Sequence, residues 1–209
     1  MRKMGYRRRF NWWKLVLICL FTLILITYLF FERNIRPGIT DITRVKAEEI
    51  CNDAVNVAVL DVLEENHFEY SDFATVSFNN QTVTNISSNS VSTNKFKSLV
   101  AIKAQDEIDN MSGTEITYKL GDFSSSSLLT GRGPDIVIKL YLTSSVTTDI
   151  ISDFESCGIN QTKHTISIEV TSKVYITSDA DEETYTVVVT TVPIAENIIV
   201  GDTPSIYVN

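Results

Sequence analysis

The chain has 209 residues, of which 44% are hydrophobic, and a formal net charge of -8. All 26 acidic residues follow residue 31, together with 12 of the 18 basic ones, so that part carries a formal charge of -14. This balance argues against nucleic acid as a partner, because binding to phosphates needs clustered lysine and arginine. Three cysteines are few for a fold that depends on disulfides, and we expect free thiols at Cys51 and Cys157.

The first predicted element is an uncharged apolar run at residues 15–31. As a helix that begins at Trp12 it would measure about 30 Å, the thickness of the hydrocarbon core of a bilayer. Basic residues precede it, which predicts a cytoplasmic tail at residues 1–14 and an extracytoplasmic position for residues 32–209. A cleaved signal peptide is the alternative, but the run is longer than a signal core and no A-x-A-like site follows it. We therefore expect a single-pass signal anchor in the cell membrane.

Residues 32–120 are predicted to form an αββαβ module. The first helix is expected from Ile39 to Leu63, after a hinge or kink at Pro37 and Gly38. Its apolar stripe at a spacing of 3.6 residues consists of Ile39, Ile42, Ile50, Ala54, Val57 and Leu60. Two short strands, 75–78 and 81–86, follow, joined through asparagines that favour turns.

The second helix is expected to begin with Thr93 or Asn94 as its N-cap. Its apolar stripe consists of Phe96, Leu99, Val100, Ala104 and Met111. Lys103 and Glu107 are spaced to form an ion pair on this helix. A strand at 115–120 completes the module, which we expect to place two helices on one face of a three-stranded sheet. Several ring-forming membrane-associated domains share this order of elements.

The serine- and glycine-rich segment 121–133 predicts a loop and an internal boundary. Residues 134–209 then alternate between apolar and polar side chains, which is typical of strands. The predicted strands cover 135–142, 146–154, 164–177 and 184–192. Their connections are too short for parallel crossovers, so we expect an antiparallel meander and an α+β fold class.

Groups that could carry catalysis or bind metal are sparse. Cys157 and His164 form the sharpest catalytic pair, but their order differs from that of the cysteine transpeptidases of Gram-positive surfaces. The acidic segment Asp179, Asp181, Glu182 and Glu183 lacks the glycine and the ligand spacing of a dedicated calcium site. No C-x-x-C or H-x-x-x-H spacing occurs. We therefore predict no enzymatic activity, no metal and no cofactor.

Three segments of the second half resemble one protein family. They are TGRGPDIVIKL at Thr130–Leu140, FESCGINQTKHTISIEVTSKV at Phe154–Val174 and VPIAENIIVGDTPSIYV at Val192–Val208. These segments are similar to motifs of the YunB family of sporulation proteins from endospore-forming Firmicutes. The resemblance implies one membrane segment, expression in the mother cell and a role in building the spore. It supplies no activity and no catalytic residues, and Cys157 stands where a small residue such as alanine is expected.

Together these features predict a membrane-anchored, non-catalytic protein of the spore envelope, in a membrane derived from the mother cell. Its expected partners are other envelope proteins or further copies of itself. The candidate interaction surface consists of Glu155, Gly158, Asn160, Gln161, His164, Gly201 and Asp202. These residues also suit tight turns held by side-chain to backbone hydrogen bonds. A subunit of a membrane-associated ring or secretion-like complex is the first alternative function, and a cell-wall enzyme is the second.

Overall fold

The computed structural model describes residues 12–79, 82–123, 127–158, 160–178 and 181–200. The helices are α1 (Trp12–Phe30), α2 (Arg36–Asn66), α3 (Tyr70–Phe73) and α4 (Ser90–Asn110), with a π-helical turn at Phe31–Ile35 and a 3-10 turn at Leu120–Phe123. The strands are β1 (Ala74–Asn79), β2 (Thr82–Ser88), β3 (Thr114–Lys119), β4 (Asp135–Gly158), β5 (Gln161–Ser178) and β6 (Asp181–Val200). The predicted α+β class and the antiparallel meander are confirmed.

Helix α1 consists of 19 residues and has no buried side chain. Its two threonines satisfy their hydroxyls within the helix, Thr22 by donating to the carbonyl of Cys19 and Thr27 by donating to that of Leu23, each at 2.9 Å. By length and composition α1 is able to cross a bilayer. The predicted basic tail before it falls largely on residues 1–11, outside the described residues.

The hinge or kink expected at Pro37 and Gly38 remains a prediction. The chain stays helical here, and the irregularity lies earlier, in the π-helical turn, where the backbone N–H of Arg36 donates to the carbonyl of Phe31. Pro37 follows this turn as the second residue of α2. Because the helix is continuous here and proline has no N–H, Pro37 cannot donate to a carbonyl of the preceding turn, and the π-helical turn lies where that hydrogen bond is lost.

The chain divides into two compact units. The first, called the anchor unit, combines Met1–Asp41 with Thr117–Val137. The second, called the sheet unit, combines Ile42–Ile116 with Ile138–Asn209. The predicted ranges 32–120, 121–133 and 134–209 remain predictions.

In the anchor unit the chain passes very close to itself at Gly121. A Cβ atom there would lie 1.8 Å from the carbonyl oxygen of Leu129, so only glycine fits without a backbone shift. The carboxylate of Asp122 accepts hydrogen bonds from the backbone N–H groups of Lys119 at 2.8 Å and Gly131 at 2.7 Å. These two bonds lower the pKa of Asp122, because they stabilise its charged form.

The predicted three-stranded sheet does not form. Strands β1 and β2 pair with each other alone, and β3 joins the meander, in the order β3-β4-β5-β6. Gly113, with a φ of +90°, reverses the chain after α4, and its N–H donates to the carbonyl of Leu140 at 2.6 Å. This turn directs β3 toward β4.

The meander confirms the predicted alternation and extends it. The two strands predicted at 135–142 and 146–154 form one strand, β4, of 24 residues. On β5 the even-numbered side chains are buried against the helices; they are His164, Ile166, Ile168, Val170, Ser172, Val174 and Ile176. Serine and histidine are therefore part of the same buried face as the aliphatic residues.

The two long helices bury faces that differ in part from the predicted stripes. Val57 and Leu60 on α2 are 46% and 57% exposed. The buried face of α2 is instead formed by Ala47, Ile50, Cys51, Ala54, Val55, Ala58, Val59 and Val62. On α4, Met111 is about half exposed, and Ile108 takes the core position. The predicted stripe of α2 omits Ala47 and Ala58, because alanine is only weakly hydrophobic. Its small side chain nevertheless allows a helix to pack closely.

Two local contacts of α4 also differ from the prediction. The N-cap is Asn89, whose side-chain oxygen accepts from the N–H of Ser92 at 3.3 Å, so the helix begins four or five residues earlier than expected. Lys103 makes its ion pairs with Asp61 at 3.1 Å and Glu65 at 3.7 Å, both on α2. The lysine thus links two helices, where a pair within one helix was expected.

Candidate functional site

A groove of about 450 Å³ opens in the sheet unit. Its walls come from α3, β1, β2, the first turns of α4, and strands β4 and β5. The apolar lining residues are Phe73, Ala74, Ile86, Ile150, Phe154 and Ile166, and the polar ones are Ser88, Thr93, Asn94, Lys97, Asp149, Ser152 and His164. Binding sites are usually concave and combine apolar side chains with convergent polar groups, and this groove has both.

His164 is the central polar residue of this groove. Its side chain is only 2% exposed, because it belongs to the buried face of β5. Nδ1 lies 2.6 Å from the hydroxyl oxygen of Tyr70, and Nε2 lies 2.7 Å from Oγ of Ser152. The ring of Phe154, directly opposite in the β4–β5 register, stacks on the imidazole at 4.2 Å with an angle of 4° between the planes.

Burial lowers the pKa of His164, because the charged imidazolium would lose its hydration. A neutral imidazole has one donor and one acceptor nitrogen, and a hydroxyl is able to serve either of them. The hydroxyls of Tyr70 and Ser152 therefore satisfy both ring nitrogens without a charge. Burial also raises the pKa of Tyr70, outweighing the opposite effect of a hydrogen bond with Asn197.

This network joins four elements that are far apart in sequence. Tyr70 is on α3, Ser152 on β4, His164 on β5, and Asn197 on β6 directly opposite His164. Because each hydrogen bond is formed in or beside the core, the short helix α3 is fixed against the sheet. We call these four residues the His164 network.

The pair formed by Ser152 and His164 also has the spacing of a nucleophile and its base, with Tyr70 placed as the group that orients the base. Acyl transfer further requires donors that stabilise an oxyanion. The cation on the wall of the groove is Lys97, and its Nζ is 2.9 Å from Oδ1 of Asp149. The hydrogen bond from Lys97 lowers the pKa of Asp149, so the two side chains neutralise each other.

The predicted interaction surface is only partly brought together. Glu155, Gly158, Asn160 and Gln161 lie at the end of the β4–β5 hairpin, where Gly158 pairs with Gln161 and Asn160 has a φ of +60°. His164 is buried, so its side chain does not share an exposed surface with them. Gly201 and Asp202 lie outside the described residues. Contact of this hairpin with a partner remains a prediction.

Three residues of the network, Tyr70, Ser152 and Asn197, were missed in the sequence. Ser152 has the parity of the buried positions of β4, and Tyr70 stands in an otherwise acidic and polar segment. Histidine within an alternating apolar strand was the available signal, because a buried imidazole needs polar partners. The earlier pairing of His164 with Cys157 is not formed, since both ring nitrogens contact other residues.

All three cysteines are free thiols. Cys51 is fully buried on α2, and burial raises its pKa to about 11, whereas Cys157 is exposed.

Among the described residues no group of three or more histidine, cysteine, aspartate or glutamate side chains is placed to hold a metal ion. The side chains of the acidic segment 179–183 fall outside that description.

Comparison with known proteins gives one family and one curated relative. Residues 115–206 match the family model of the sporulation protein YunB, Spo_YunB. This range contains Ser152, His164 and Asn197 but not Tyr70. The sporulation protein YunB of Bacillus subtilis (strain 168) is 28% identical over 189 residues, covering 83% of this chain and 72% of the relative. No solved structure matches the chain. These findings confirm the resemblance seen in the sequence: residues 115–206, less than half of the chain, are similar to the YunB family of sporulation proteins.

Proposed function

We propose that this chain is a membrane-anchored, non-catalytic protein needed for spore formation, with an acidic extracytoplasmic part that contacts other envelope proteins or further copies of itself. The observation that carries the proposal is α1. Every one of its side chains is unburied although its composition is strongly apolar, and it occurs in a chain that is similar to a sporulation family. A helix of this kind is stable when lipid covers it.

The orientation follows from the charges. Six basic residues precede the apolar run, and the part beyond it carries a formal charge of -14. The N-terminus is therefore cytoplasmic and residues 32–209 are extracytoplasmic. In a sporulating cell the membrane concerned is one derived from the mother cell.

The non-catalytic role is supported by the His164 network. The imidazole is 2% exposed and covered by Phe154, and both of its nitrogens already have partners. A general base has to exchange protons with a substrate or with water. Here the residue instead joins α3 to the sheet, and we assign it a structural role.

Different observations bear on the two alternative functions, the ring or secretion-like subunit and the cell-wall enzyme. A ring or secretion-like subunit was suggested by the order helix, strand, strand, helix, strand in residues 39–120. The chain keeps this order apart from the short α3, but β3 pairs with β4, so the three-stranded sheet expected for such a module does not form. A cell-wall enzyme that uses Ser152 as nucleophile would lose activity in Ser152→Ala. We expect Ser152→Ala to support normal spore formation, and a loss of spores at an unchanged protein level would favour the enzyme.

The test of the proposed function is a set of three strains of the native host, in which the gene is deleted and then replaced. We expect the deletion to lower the yield of heat-resistant spores. A chain in which an unrelated single-pass helix replaces residues 12–30 should restore the yield, because it keeps the anchor. A chain with a cleavable signal peptide in its place should not. Spores at the normal yield in the deletion strain would refute the role in spore formation, and rescue by the secreted form would refute the need for an anchor.

A further inference from the structure

We propose that the anchor unit contacts the bilayer a second time, through the loop 127–133. In this arrangement Leu128 and Leu129 enter the outer lipid interface beside α1, and an adjoining apolar pocket takes a phospholipid acyl chain. The proposal rests on the membrane anchoring proposed above. It adds a lipid-binding site that is separate from the spanning helix.

The position of the pocket indicates how deep in the bilayer the second contact lies. It has a volume of about 200 Å³ and an almost wholly apolar lining that includes Phe30, Phe123 and Leu129. Phe30 is the last residue of α1, so a pocket that it lines lies at the end of the spanning helix. If α1 crosses the bilayer, this level is the boundary between acyl chains and headgroups. Lipid is therefore the apolar material within reach of the pocket.

The loop carries the apolar side chains that such a position requires. Leu128 is 77% exposed and Leu129 is 47% exposed. Leu129 shares the pocket with Phe30, and Phe30 and Phe31 are themselves about half exposed. The exposed leucines thus continue the apolar surface of α1. A single exposed leucine is ordinary on a protein in water, but a surface continuous with a spanning helix indicates a shared lipid environment.

The loop is held in place by its own backbone. Gly121 donates its N–H to the carbonyl of Arg132 at 2.9 Å, and Leu120 donates to that of Pro134 at 3.0 Å. Asp122 accepts from the N–H of Gly131 at 2.7 Å. The leucines are therefore presented by a braced turn, and little conformational entropy is lost when lipid binds them.

Two arginines lie near the pocket, as expected for a site at the depth of the lipid headgroups. Arg132 lines the pocket, and Arg33 follows Phe30 by less than one helical turn. Guanidinium groups bind phosphate oxygens in charge-assisted, often bidentate hydrogen bonds. Two arginines just beyond the apolar surface are therefore placed for the phosphodiester groups of anionic lipids.

The test uses the full chain in vesicles of phosphatidylcholine and phosphatidylglycerol, with tryptophan fluorescence as the readout. Trp12 and Trp13 are replaced by phenylalanine, and Leu128→Trp supplies the single fluorophore. Its matched control is Val91→Trp in the same background, since Val91 on α4 is 81% exposed. Quenching is measured with lipids brominated near the headgroup end of the acyl chain and with lipids brominated near its terminus.

We expect Leu128→Trp to show a blue-shifted emission and to lose most of its fluorescence with bromine near the headgroup end. The loss should be smaller with bromine near the chain terminus, and smaller again for Val91→Trp. Quenching of Leu128→Trp that does not exceed that of Val91→Trp would overturn the proposal. A blue shift without quenching would also overturn it, because the loop would then be covered by protein.

A separate measurement tests whether α1 itself is inserted in the bilayer. In the native chain Trp12 and Trp13 lie at the start of α1, and bromolipids should quench them if α1 is inserted. Quenched native tryptophans with an unquenched Leu128→Trp would refute the second contact and leave the anchor standing. Unquenched native tryptophans, with a chain that fails to float with vesicles, would refute both.

Discussion

The His164 network gives the sharpest quantitative prediction. The change Tyr70→Phe removes only the hydroxyl that lies 2.6 Å from Nδ1 of His164 and keeps the ring that packs edge-on against the imidazole at 5.6 Å. His164 is 2% exposed, so water does not readily replace the lost partner. A buried polar atom left without a partner costs about 1–3 kcal/mol, and we expect the free energy of unfolding to fall by this amount.

The control variant is Ser152→Ala. It removes the partner of Nε2, but Ser152 is itself an exposed residue, so water is able to take its place. We therefore expect a smaller loss, about 0.5–1.5 kcal/mol. His164→Phe removes both ring nitrogens and the need to satisfy them, so Tyr70→Phe should cost little in that background.

The assay is urea unfolding of the full chain in detergent micelles, followed by circular dichroism. The four chains of the double-mutant cycle are the native chain, Tyr70→Phe, His164→Phe and the double variant. A coupling free energy of about 0.5–3 kcal/mol is expected for residues in one hydrogen-bond network. If Tyr70→Phe costs the same with and without His164, the hydrogen bond does not stabilise the fold and the structural role assigned to it is wrong.

Three further outcomes are expected. Burial holds the pKa of His164 below its usual 6.5, so the unfolded chain takes up this proton at a higher pH than the folded chain does. The stability from this residue is present above pH 6.5 and is lost as the pH falls toward the lowered folded pKa, by at most about 1.4 kcal/mol per pH unit. His164→Phe should flatten that slope in urea titrations. Gly121→Ala should lower the unfolding free energy by about 1–3 kcal/mol or more, because its Cβ would lie 1.8 Å from the carbonyl oxygen of Leu129; an unchanged urea midpoint would contradict this packing. A water-soluble maleimide should modify Cys157 rapidly in the native chain and Cys51 only after unfolding, as measured by mass spectrometry. The reason is that Cys51 is fully buried and its pKa is raised to about 11. Equal rates of modification would contradict this difference.

The buried face of α2 and the ion pairs of Lys103 differ from the predictions for physical reasons. Val57 and Leu60 look like core residues in a helical wheel, yet α2 turns its alanines toward the core instead. Alanines allow close approach between a helix and a sheet, and a stripe scored by hydrophobicity alone undervalues them. Likewise, Lys103 has an acceptor four residues away on α4, but Asp61 on α2 is the partner at 3.1 Å. Contacts between helices outcompete those that local spacing suggests.

Only part of the candidate site was open to prediction. The hairpin position of Gly158, Asn160 and Gln161 follows from turn chemistry, which depends on neighbouring residues. The partners of His164 do not follow in this way. Tyr70 lies 94 positions away along the chain, and no local pattern links the two residues.

The sequence by itself determined the apolar helix α1, the antiparallel strands after residue 134 and the resemblance of its second half to the YunB family. The helix and the strands depend on composition or on periods of two to four residues, and the resemblance depends on local motifs, all of which the chain displays without folding. The tertiary structure decided that β3 joins β4, that His164 is buried between hydroxyls and that Leu129 meets the end of α1. These contacts depend on the path of the chain between distant segments, and that path is set by the packing of the whole core.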